Sequence, residues 1–130
     1  MSIESTVYQR VTADSAVSAL IGNRLYPSVA PDGVQKPYGI YDLISHRRSI
    51  THGGESTLHI SRVQIDVYAK TREEAIELSD AVINALHAQN WNNDTHAVYS
   101  SELDNQQTTY LADVSLHRSA LDFLIHYGVM

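Results

Sequence analysis

The chain has 130 residues, 43% hydrophobic and 18% charged, with 15 acidic against 9 basic side chains and no cysteine. Such proportions fit a soluble globular domain that can bury roughly two-thirds of its unfolded surface. They exclude disulfides and thiolate metal sites, and a net charge of −6 does not favour a broad phosphate-binding surface.

The longest apolar runs are only a few residues, too short to span a bilayer. The N-terminus lacks the basic-then-apolar pattern of a secretory signal. Ser2 can cap a first helix in which Ile3, Val7 and Val11 recur at i, i+4 and i+8. Asp14 reads as a second N-cap, followed by Ala16, Val17, Leu20 and Ile21, and Gly22-Asn23 supply the left-handed stop. The pattern predicts an N-terminal helix over about 3–21, broken or kinked near Ala13–Asp14. Arg24-Leu25-Tyr26 is a short extended piece closed by Pro27, and Pro31-Asp32-Gly33 suits a tight turn.

Tyr38 to Ser45 is a strand with apolar residues on both faces, which predicts a central place in its sheet. A polar, basic stretch carrying Gly53-Gly54 follows, and then a second strand. In that strand Val63, Ile65, Val67 and Ala69 alternate with Arg62, Gln64, Asp66 and Tyr68. Together these make a long antiparallel hairpin over about 38–69. After Lys70 the period changes to 3.6. Thr71 and Glu74 have capping-box spacing, and Ala75, Ile76, Leu78, Ser79, Val82, Ile83 and Leu86 form one face of a helix over about 72–89. Asn90–Thr95 reads as a loop with Trp91 folded back onto the body, Ala97–Glu102 as a strand, and Asp104–Thr109 as polar and turn-like. Tyr110–Val114 is an extended or one-turn connection. In the last strand Leu121, Phe123, Ile125 and Tyr127 face one way, and Asp122, Leu124 and His126 the other.

This order contains too few helices to cover a sheet on both faces, so the predicted class is α+β. A mostly antiparallel sheet carries the long amphipathic helix on one face, with the 38–69 hairpin projecting. No repeat or linker divides the chain, and residues 1–130 read as one domain.

Chemistry is harder to find. Seven histidines are present (His46, His52, His59, His87, His96, His117 and His126), but none forms a short-spaced ligand pair on one helical face. Asp66 and Asp122, each on the polar side of a strand, are acid–base candidates if burial raises one pKa, but the favoured reading is the plainer one, exposed or arginine-paired sheet residues. On the acid–base reading the chain is a small enzyme or ligand-binding domain with a carboxylate/histidine cleft. Gly53-Gly54 lies between two strands and not before a helix, so it is no phosphate cradle. The hairpin tip, with Arg47, Arg48, His52, Gly53, Gly54 and Glu55, is the local basic feature, and Glu73, Glu77 and Asp80 line the outer face of the long helix. A basic tip on one subunit meeting an acidic helix on the next would suit a head-to-tail ring. The bland alternative is a hairpin and a helix that are simply solvated.

Four segments in order carry a resemblance. They are Leu20-Ile21-Gly22 with Arg24-Leu25-Tyr26-Pro27, then Lys36-Pro37-Tyr38-Gly39-Ile40-Tyr41, then Val63 to Ala69 running into Thr71, and finally His117-Arg118-Ser119-Ala120-Leu121-Asp122-Phe123. The whole resembles the small tail-completion, or tail-terminator, proteins of long-tailed bacteriophages and prophages. The resemblance implies a structural virion protein, assembled in the host bacterial cytoplasm, that forms a ring, usually a hexamer, on the head-proximal end of the tail tube. Its implied partners are further copies of itself, the tail tube protein, the head–tail connector or stopper, and DNA passing through a channel without sequence-specific binding. It implies no membrane, cofactor, metal or catalytic residue.

Overall fold

The structure, a computed structural model, describes residues 2–50 and 57–130. Two helices open the chain, α1 (Ile3–Ala13) and α2 (Ser15–Ile21). Asp14 divides them. Its extended backbone (φ −72°, ψ 127°) ends α1, and its carboxylate accepts from the N–H groups of Ala16 and Val17 at 3.0 and 3.2 Å, which starts α2. Gly22, at φ 57°, stops α2. Then come β1 (Leu25–Pro27), β2 (Tyr38–Ile50), β3 (Thr57–Ala69), α3 (Arg72–Leu86), β4 (Gln89–Asn92), β5 (His96–Leu111) and β6 (Leu116–Val129). The strands form one six-stranded sheet in the order β1-β2-β3-β6-β5-β4, with β1 parallel to β2 and every other pair antiparallel.

Alternation decides which face is buried. Ser61, Val63, Ile65, Val67 and Ala69 of β3 lie beside Leu121, Phe123 and Ile125 of β6, all fully or almost fully buried. Against them pack Leu78, Val82 and Leu86 of α3, with Ile3, Val7 and Val11 of α1 and Val17 and Ile21 of α2. A single core therefore sits between three helices and one sheet face, and the opposite face has no helix. Thr71 caps α3 by accepting from the Glu74 N–H at 3.1 Å. Of the predicted capping box, the reciprocal Glu74 bond is absent among the described residues. Among the described residues no helix is long and apolar enough to cross a membrane.

Five expectations change. α3 ends at Leu86, not near 89, because Ala88 turns left-handed (φ 57°) and donates its N–H to the Ser101 carbonyl. The first half of the predicted 90–95 loop belongs to β4, whose Trp91 nevertheless packs against the core as expected. Ile76 points outward, 40% exposed, and Ala81 and Ala85 take the buried face instead. β2 is close to an edge and not central: β1 covers only Gly39 to Tyr41. Its two-faced apolarity has a local cause, since the segment from Ser28 to Lys36 forms a shallow cleft over Tyr38, Ile40 and Tyr68 on the face without helices. The largest change is at Asp104–Thr109, which is not a turn but the middle of the 16-residue β5, paired with β6 as far as Leu111↔Leu116.

Candidate functional site

With one sheet face covered by helices, the parts of the sheet open to partners are its other face and its two edges, and beside them stands the outer surface of the helices. The uncovered face carries ion pairs and half-buried apolar groups in alternation. Arg118 donates to Asp66 at 2.9 Å, and Gln64 donates to the other oxygen of the same carboxylate at 2.8 Å. Arg62 donates to Asp104 at 2.7 Å. Tyr38 and Tyr68 stack at 5.0 Å between centroids. Burial raises the hydroxyl pKa of both, and the nearness of Tyr68 adds to the effect on Tyr38. Farther along β2 and β3, toward Ile50 and Thr57, Ser45, Arg47, Ile60, Arg62 and Leu124 line a shallow depression of about 250 Å³.

These contacts answer the acid–base reading. Gln64 opposes Asp122 in the β3–β6 register, so Asp66 and Asp122 are diagonal neighbours on the open face. Asp66 is held by Arg118 and Gln64, the arginine-paired alternative. No group of three metal-ligating residues exists among the described residues either. Ile60 opposes His126 and His46 opposes Ser61, which places His126 on the open face and His46 on the helix-bearing face. His126 is bonded to Ser100 at 3.2 Å.

On the helix-bearing face, beyond the helices, three histidines and a tyrosine make a column. His46 and His59 stack at 5.2 Å and share a hydrogen bond of 2.9 Å; His59 stacks on Tyr127, and His96 meets Tyr127 edge-on at 5.4 Å. His96 is buried, its Nδ1 lying 2.9 Å from the Thr6 hydroxyl and 2.8 Å from that of Thr95, which ties α1 to the start of β5. Burial depresses the pKa of both His59 and His96, and His46 and Arg48 depress that of His59 further. The column reads as a support for the base of the hairpin.

Of the predicted contact residues, Arg47 and Arg48 are exposed on β2, and neither enters an ion pair among the described residues. Their side chains point to opposite faces of the sheet, because Arg47 opposes Ile60 and Arg48 opposes His59. His52, Gly53, Gly54 and Glu55 lie outside the described residues. Glu73, Glu77 and Asp80 are exposed on α3. Within one chain the basic and acidic groups are not brought together. α3 starts just after the end of β3 at Ala69, whereas Arg47 and Arg48 pair near its beginning.

Sequence reasoning missed the outer half of β5. Residues 104–110 are exposed although Asn105–Tyr110 pair with β6, so no alternation marks them. The available signal was length: a long closing strand needs a partner of similar length, and Thr108-Thr109-Tyr110 favour strand.

Residues 5–128 match the family model of tail completion protein gp17. No curated protein sequence matches. Among solved structures the fold is similar to a chain in the virion of a native gene transfer agent (GTA) particle. That match has 17% identity and a TM-score of 0.72, with 94% of this chain and 91% of that chain covered. Matched over nearly its whole length, this chain belongs to the tail completion protein gp17 family and is a structural tail protein, not an enzyme.

Proposed function

We propose that the protein terminates a phage-like tail. Copies of it form a ring, six in the form the family resemblance implies, that caps the head-proximal end of the tail tube and stops its growth. The ring joins the tube to the head connector and leaves a channel through which DNA passes without sequence-specific binding. Assembly takes place in the cytoplasm of the host bacterium.

The observation that carries this reading is the family match over residues 5–128. The fold shared with a chain of a gene transfer agent virion supports a place in a particle. So does a sheet with one face free of helices, as a subunit with neighbours on several sides requires. Contacts between subunits are assigned to Arg47 and Arg48, with His52, Gly53, Gly54 and Glu55 beyond them, and to Glu73, Glu77 and Asp80 of the next copy. The test is to add purified protein to growing tail tubes that lack a terminator. Tube lengths should stop increasing, and negative-stain images should show a ring at one end. Continued elongation with no density at either end would overturn the reading.

A further inference from the structure

We propose that neighbouring copies join edge to edge, the outer edge of β2 (Leu43–Ser49) pairing antiparallel with the outer edge of β5 (Asp104–Leu111) of the next chain. This rests on the ring reading above and specifies the joint.

The two edges are open for the same reason: each is capped at one end only. β1 reaches β2 no further than Tyr41, whose carbonyl accepts from the Ser28 N–H. On the other side β4 covers β5 only as far as Ser101, whose carbonyl accepts from the Ala88 N–H. The Leu103 N–H donates to His87 Nδ1, and beyond it no strand among the described residues lies against β5.

The direction of the backbone groups follows from these bonds. Gly39 donates to the Arg24 carbonyl, so Gly39 and Tyr41 point away from β3. Counting in twos through the bulge between Leu43 and Ser45 places His46 and Arg48 outward as well. Ser101 and Leu103 point away from β6, and the bulge between Leu103 and Asn105 then places Gln106, Thr108 and Tyr110 outward. Each edge therefore offers a row of N–H and C=O groups that are unpaired among the described residues. In both rows the outward residues carry their side chains on the helix-bearing face, so pairing His46 and Arg48 with members of the β5 row keeps the two sheets continuous, face with face.

Direction and position also agree. In one sheet β2 and β5 run oppositely, so laying the β5 edge of one copy against the β2 edge of the next makes an antiparallel ladder. The open part of β2 lies toward the hairpin tip and that of β5 toward the opposite end of the sheet. The joint is thus staggered and head-to-tail, the kind that generates a ring when the rotation closes. Natural edges are usually blunted by lysine, proline or a charge. Residues 105–111, Asn-Gln-Gln-Thr-Thr-Tyr-Leu, contain none of these. Pairing would cover Leu43, Ile44 and Tyr110, which are 41%, 50% and 54% exposed in the single chain. It also brings Arg47 and Arg48 toward Glu102 and Asp104, and sets Arg48 on the side of the neighbour that carries Glu73, Glu77 and Asp80.

Two sets of variants test the joint. The chain has no cysteine, so Arg48→Cys can be combined with Gln106→Cys or with Thr108→Cys. Within one chain Arg48 is about 14 Å from both positions across the strands, and along them roughly 20 Å from Gln106 and roughly 26 Å from Thr108, far beyond the 4.4–6.8 Å between Cα atoms that a disulfide spans. Oxidation of the assembled protein should therefore give closed covalent oligomers and no intramolecular bridge. Thr108→Pro removes an outward N–H and leaves the β5–β6 ladder intact. Its circular dichroism and melting should stay close to the parent while tube capping falls at least tenfold. Thr109→Pro, whose N–H faces β6, should lose the fold instead. If the parent forms rings on tubes but neither cysteine pair cross-links and Thr108→Pro caps normally, the edge joint is wrong and the ring stands. If the parent forms no ring in solution or on tubes, both readings fall.

Discussion

Phe123 is fully buried in the core, on β6 between β3 and β5. Phe123→Ala should cost about 3–5 kcal/mol, read as a lower urea midpoint with an unchanged slope. Gly39 meets a different limit. A Cβ there would lie 2.8 Å from Leu25 Cδ1, which is itself buried where β1 docks on β2. Gly39→Ala should destabilise the chain by about 1–3 kcal/mol through overpacking, and Leu25→Ala in the same chain should recover less than its own cost adds. The histidine column makes stability depend on pH. His59 and His96 both take up a proton less readily in the folded chain than at the ordinary value of 6.5. The unfolded chain therefore binds protons first as pH falls. Stability is complete above that value and declines as pH drops through and below it, so urea midpoints should fall between pH 7.5 and 5.5. His59→Gln should flatten part of that slope.

Asp14 serves two helices at once, and its carboxylate is the N-cap of α2. Asp14→Ala should cost roughly 1 kcal/mol, and Asp14→Asn much less, as measured by thermal unfolding. At this scale the sequence was most legible where one face of an element is dry and the other wet. Val63 to Ala69 and Leu121 to Tyr127 alternate because a core lies on one side only, and Thr71 marks the start of α3 through a bond it does make. The break at Asp14 could be read for the same reason. Asp104–Tyr110 could not, because both faces there meet solvent and the alternation that marks a strand is erased. β4 is too short for a period to show. The apolar residues on both faces of β2 pointed to the sheet centre, when Tyr38 and Ile40 are in fact sheltered by a loop. The proposed contact surface was legible as charge, at Arg47, Arg48 and the acid row of α3. The open edges were not, since a free backbone has no letter in the sequence.

As a whole the molecule is a sheet with helices on one side and half-occupied edges on two others. Reversing Arg47 and Arg48 to glutamate should leave unfolding within about 0.5 kcal/mol of the parent, as expected for exposed positions that enter no ion pair among the described residues. The same change should weaken subunit association, most clearly at low salt, where attraction between exposed charges is least screened. Light scattering at two ionic strengths checks this, and an unchanged oligomer at both would remove these arginines from the contact. In the ring proposed above, the head-to-tail joint between the two open edges has a consequence for how assembly proceeds. A row of two, three or five copies exposes one β2 edge and one β5 edge, as a lone chain does. Adding a copy does not reduce that number, and only the copy that closes the circle takes it to zero. Intermediates gain nothing in their count of raw ends. Native mass spectra should therefore be dominated by the single chain and one closed size, with the sizes between them scarce.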